Sequence, residues 1–150
     1  MDIDLVLAIA HHLAVFTLVA LFAAEFALLR PGLSGSRIGQ LARIDAAYGG
    51  MAGLVIVVGV LRVIFGSAGW QYYVGNQMFW GKMSAFLLMG LLTIPPTVAM
   101  RGWDKAARDA DGYEVPSTEI AANRRYVYLQ AAILLLIPGF AAAMARGYGS

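Results

Sequence analysis

Four apolar runs, each long enough to cross a bilayer, leave this chain few ways to fold. They are Leu5–Leu29, Ile44–Phe65, Phe79–Met100 and Tyr126–Ala145. About 20 consecutive apolar residues span the hydrocarbon core as a helix. None of the runs alternates with the period of a barrel strand, so the backbone must satisfy its own hydrogen bonds as α-helix. The expected fold is all-α, an integral membrane four-helix bundle forming one domain over residues 1–150. Composition agrees: the chain is 60% hydrophobic and 13% charged, where a soluble domain has roughly 25% charged residues.

The connections set an expected orientation. Arg30, Arg37 and Arg43 lie between the first two runs, and Arg101, Lys105, Arg108, Arg124 and Arg125 between the last two. The N-terminus and the middle connection, residues 66–78, carry no Lys or Arg. The positive-inside rule then places both termini on the non-cytoplasmic side. The acidic start Met1-Asp2-Ile3-Asp4 is unlike a signal peptide, and the first run is expected to be retained. In the middle connection, Trp70, Tyr72 and Tyr73, with Trp80, are expected to form an interfacial aromatic belt. Pro116-Ser117-Thr118 is expected to cap a helical extension into the last span. A formal charge of +2 without an arginine stripe argues against nucleic acid as a partner. The absence of cysteine excludes disulfides, thiolate metal sites and covalent haem attachment.

Polar side chains at bilayer depth are costly, so each is a functional candidate. The first run holds adjacent histidines, His11 and His12. On the expected topology His11 lies roughly 10 Å below the outer boundary. Arg62 and Lys82, about one turn inside the second and third spans, reach a similar level. Either cation alone would snorkel to the headgroups; an imidazole and two cations at one depth point to a site. Their chemistry suits a ligand with an apolar body, a centre seeking imidazole and anionic groups. Haem b matches, with iron on histidine and propionates on Arg62 and Lys82. Adjacent helical residues point about 100° apart, so the two histidines cannot share a position. Glu25, the other charged residue of the first run, falls about 40° from His11 and about 140° from His12 around the helix. His11 is therefore expected to face the bundle, with His12 at a seam, at a second protomer or on a separate ligand.

Glu25, Arg30, Arg43, Asp45 and Tyr48 form a second polar level, read as an interfacial girdle in which Glu25 and Asp45 pair with the bases, with a proton-entry path as the alternative. Ala46, Gly49, Gly50 and Gly53 have the small-xxx-small spacing of close helix packing, within the bundle or in a homo-oligomer. Pro95-Pro96 and Pro138 are expected to kink the last two spans. Phosphate-binding, zinc-protease and nucleophile-elbow motifs are absent from the sequence.

The stretches Arg43 to Gly50, Gly59 to Arg62, Phe79 to Met83 and Thr93 to Thr97 resemble a family of bacterial four-helix membrane proteins, domain-of-unknown-function family 2214. The resemblance covers nearly the whole chain and implies a bacterial inner-membrane location but no activity. The layout is more distantly similar to CopD-like and HemJ-like membrane proteins. HemJ-type proteins are haem b-binding protoporphyrinogen oxidases. The resemblance aligns His11, Ala14, Thr17 and Ala20 with their first span and Lys82-Met83 with the start of their third. It implies His11 as the haem ligand, with His12 a second candidate, and a quinone or porphyrin as partner. The tandem histidine and Arg62 depart from the HemJ pattern. Three functions follow as expectations: a haem protein in electron transfer or redox chemistry, a HemJ-like oxidoreductase, and a cofactor-free membrane scaffold.

Overall fold

The computed structural model describes residues 2–149. Its main helices are α1 (Ile3–Leu28), α2 (Ser36–Phe65), α4 (Gln77–Asp109) and α5 (Ser117–Ala145), with a short α3 (Trp70–Val74) in the middle connection. The four main helices are each long and apolar enough to cross a membrane. No strand forms among the described residues.

The helices outrun the apolar stretches because their buried stripes do. In α2 the buried residues Ile38, Leu41, Asp45 and Tyr48 recur every three or four positions, starting before the apolar run begins at Ile44. Met100 and Trp103 extend α4 in the same way, and Ile120, Asn123 and Val127 begin α5. Trp103 Nε1 donates to Glu119 Oε2 at 2.6 Å and ties the two extensions together. The arginine-bearing connections shrink to the short links 29–35 and 110–116, joined by an isolated bridge between Ser34 and Glu114. The helical extension beginning at Ser117 follows the sequence expectation, but no side chain caps it.

α1 packs on α2, α2 on α4 and α4 on α5. Arg124 bridges α5 to α1: its Nη1 donates to Leu29 O at 2.7 Å, and its guanidinium lies 5.7 Å from the Phe26 ring. The outer surface is apolar all round, with Leu135 78% and Phe16 68% exposed. Large apolar side chains left uncovered on every helix suit lipid, not water. Ala46, Gly49, Gly50 and Gly53 lie on this surface, and a Cβ at any of the three glycines would meet nothing within 4 Å. The glycine stripe therefore does no packing inside the bundle.

Both ends of the described residues fasten to the middle connection. Ser67 Oγ donates to Asp4 Oδ2 at 2.8 Å, and Gln77 N donates to Gly149 O at 2.8 Å. Asn76 is fully buried there; its Oδ1 caps α4 through Met78 N, and its Nδ2 donates to Tyr148 O at 3.1 Å. Trp70, Tyr72 and Trp80 are exposed at this end, as a belt requires. The bundle thus has a terminal end and an arginine-rich end.

Pro95 and Pro96 lie inside α4 and Pro138 inside α5, and both helices continue through them. Pro96 has no N–H for the carbonyl four residues earlier. That carbonyl, Leu92 O, accepts from Gln130 Nε2 of α5 at 3.3 Å. Membrane helices tolerate proline where a neighbour satisfies the freed group in this way.

Candidate functional site

Toward the terminal end the helices enclose a cavity of about 300 Å³. α1 contributes His11, α2 contributes Gly59 and Arg62, and α4 contributes Phe79 and Lys82. The walls are otherwise apolar, with Met83 and Met144 presenting thioethers. Three of the four residues singled out in the sequence, His11, Arg62 and Lys82, thus share one pocket.

Helical phase explains the selection. His11, Ala14, Leu18, Phe22 and Glu25 fall at three- and four-residue spacings, and the last four are the buried stripe of α1. His12 sits about 100° away and is exposed. Its Nδ1 lies 2.7 Å from Ala8 O, a contact within its own helix. The structure leaves His12 outside the cavity; its ring meets that of His11 edge-on at a centroid distance of 6.5 Å.

Gly59 makes room for the imidazole. A Cβ there would lie 3.4 Å from His11 Cε1, so a larger side chain would press on the ring. Sequence reasoning gave Gly59 no site role, although it precedes Arg62 by one turn on the same helix. Tyr73, expected in the interfacial belt, lines the cavity as well, and although phenylalanine and methionine walls were expected, no signal in the apolar spans singled out Phe79, Met83 or Met144 for them.

The site is short of partners. His11 Nδ1 and Arg62 Nε are buried and make no hydrogen bond. Lys82 Nζ lies 5.5 Å from the Phe79 ring centroid, a cation–π contact. The ion pair among the described residues is Arg108–Asp104, at the opposite end, so neither cavity cation has a carboxylate partner. Two cations without a carboxylate partner beside apolar walls are chemistry that suits an anionic group.

A second polar level lies toward the arginine-rich end, and it corrects the sequence reading. Glu25 and Asp45 are buried at 1% and 2% exposure, whereas Arg30 and Arg43 point outward. The expected ion-pair girdle does not form; helix rotation turns the acids inward and the bases to the surface. Asp45 Oδ1 accepts from Thr97 Oγ1 at 2.7 Å. Gln130 Oε1 accepts from Thr93 Oγ1 at 2.8 Å and Tyr48 OH at 3.3 Å. Thr93 and Thr97, quoted only within a family-like stretch, and Gln130 were given no role, because single uncharged polar residues in an apolar run have no periodic signature.

No group of three or more His, Cys, Asp or Glu side chains able to hold a metal ion occurs among the described residues.

Fold and cavity together define a four-span membrane protein with a polar-tipped internal pocket. The chain belongs to the family described as predicted membrane protein (DUF2214), whose model matches residues 3–149. No curated protein and no solved structure matches it significantly.

Proposed function

We propose that the cavity binds haem b, and that the protein is an electron-transfer or redox component of the bacterial inner membrane. The observation carrying this reading is the convergence of an unpartnered imidazole and two unpaired cations on one apolar cavity. His11 would ligate the iron, and Arg62 and Lys82 would hold the propionates. Met83, Met144 or Lys82 would supply a further ligand from the walls. Bound haem supplies one-electron transfer; the protein sets axial ligation, burial and the charge near the propionates. Gly59 leaves room for the imidazole, and apolar helix walls would face the macrocycle. The distant HemJ likeness supports the same choice of His11. The positive-inside rule places the terminal end, and with it the cavity, on the non-cytoplasmic side.

The test is the visible spectrum of detergent-purified protein from haem-replete cells, oxidised and dithionite-reduced. The expected result is a Soret band that His11→Ala abolishes and His12→Ala retains. Protein without a Soret band, even after haem supplementation, overturns the reading.

A second reading has the pocket take a porphyrinogen as substrate, oxidised to the porphyrin as its electrons and protons pass to a quinone acceptor, in a HemJ-like oxidation. Its support is that a single imidazole lines the cavity, while the two cations match a ligand bearing acidic side groups. Rescue of a strain lacking protoporphyrinogen oxidase would support it, and failure of a well-expressed copy would exclude it.

A further inference from the structure

The polar level around Glu25 lies outside the cavity and plays no part in the haem reading. Its hydrogen bonds can be counted donor by donor. Thr97 gives its hydroxyl proton to Asp45. Tyr48 gives its proton to Gln130 Oε1, the Thr93 hydroxyl has Gln130 Oε1 and Met89 O as acceptors, and Gln130 Nε2 donates to Leu92 O. Glu25, 1% exposed, keeps a buried Oε2 with no partner. Each hydroxyl donor and one of the two Gln130 amide protons has another use, none is given to Glu25 Oε2, and an ionised carboxylate is an acceptor only.

The charges facing Glu25 deepen the shortage. On α2 stand Asp45, a second buried acid whose charge opposes that of Glu25, and the buried Tyr48. From α4, Thr93 and Thr97 are neutral, and the exposed Arg101 acts on Asp45 without a salt bridge. From α5, Gln130 is neutral and Arg124 is engaged by Leu29 O and Tyr128 OH. Two carboxyl groups inside a membrane bundle, with no base paired to either, require an added positive charge. The missing element is one donor and one unit of charge, and a single proton supplies both.

We propose that Glu25 and Asp45 form a proton-exchange site: a buried acid pair holding one proton, reached from the arginine-rich end through Asp45 and Thr97. Thr97 stands one helical turn from the exposed Arg101, so the route to water is short. The proton passes between a carboxyl oxygen and water, and no other bond changes. The site stands whether or not the cavity takes haem.

Infrared difference spectroscopy on full-length protein in detergent tests it. Wild type at neutral pH is expected to show the C=O stretch of a protonated carboxylic acid, shifting on transfer to D2O. Glu25→Gln, whose amide replaces the missing donor, is expected to remove that band and leave detergent unfolding unchanged. Should Glu25→Gln fail to fold, Asp45→Asn reports on the pair by moving the band. The proposal is overturned by absence of the band, by its insensitivity to D2O, or by its survival unmoved in the variants. Displacement of the band by sodium but not by choline would also overturn it, because the added charge would then be a metal cation.

Discussion

Replacing Gln130 by leucine removes the one side chain that joins α2, α4 and α5 at the second polar level. The substitution keeps the volume, so the effect isolates hydrogen bonding. Gln130 makes bonds of 2.8 Å to Thr93 and 3.3 Å to Tyr48 and to Leu92 O. Side-chain hydrogen bonds in membrane bundles average about 0.6 kcal/mol, so the three together contribute roughly 2 kcal/mol. Leu92 O then lies beside Pro96 with no donor, and an unsatisfied buried carbonyl adds about 1 kcal/mol or more. The expected loss is therefore roughly 2–3 kcal/mol. Tyr48→Phe removes a single bond and should cost only about 0.6 kcal/mol. Reversible unfolding in mixed detergent micelles, followed by circular dichroism, measures both. A Gln130→Leu protein within about 0.5 kcal/mol of wild type would refute the reasoning, because the proline gap would then need no partner. Equal losses in the two variants would refute it as well, by placing the energy in the Tyr48 ring.

Other substitutions test other parts of the bundle. Gly53→Ala should raise stability by roughly 0.5–1 kcal/mol, since helix propensity improves and nothing stands within 4 Å of the new methyl group. Gly81→Ala should do the opposite, because its Cβ would fall 2.9 Å from Phe140 Cε1 and overpacking typically costs about 1–3 kcal/mol. Both are read by the same unfolding assay, and a stabilised Gly81→Ala protein would mean that the Phe140 ring yields freely. Asn76→Ala should lose about 1–2 kcal/mol, through the α4 cap and the Tyr148 tie together. Faster hydrogen exchange at Met78 and Phe79 would localise that loss. Gly59→Leu should impair occupation of the cavity by crowding His11, measured as haem retained per protein, while His12→Leu leaves retention unchanged.

The number of spans and the turning of His11, not His12, toward the bundle were legible because lipid imposes them. A bilayer demands apolar runs of a set length, and a polar side chain within a run prefers the bundle side. Glu25 marked that side of α1, and the marker held over the distance to His11. Helix ends were harder to read: Ile38 and Leu41 continue the buried stripe of α2 through a segment rich in polar residues, where mean hydropathy falls. The fate of Glu25 and Asp45 was misjudged for a related reason. Proximity in sequence to Arg30 and Arg43 suggested pairing, but rotation about the helix axis separates buried acids from exposed bases. The Gln130 junction depends on three helices at once, and no single stretch of sequence contains it.

The knot of contacts at the terminal end has a practical corollary. The last residues of the described chain are clasped by the corner that leads from α3 into α4, and Tyr73 of the same corner reaches the cavity wall. Cargo hung on either tail would tug on a structural latch a few side chains from the pocket. The turn at Gly112, remote from that latch and exposed, is the gentler place for a fluorophore or affinity handle.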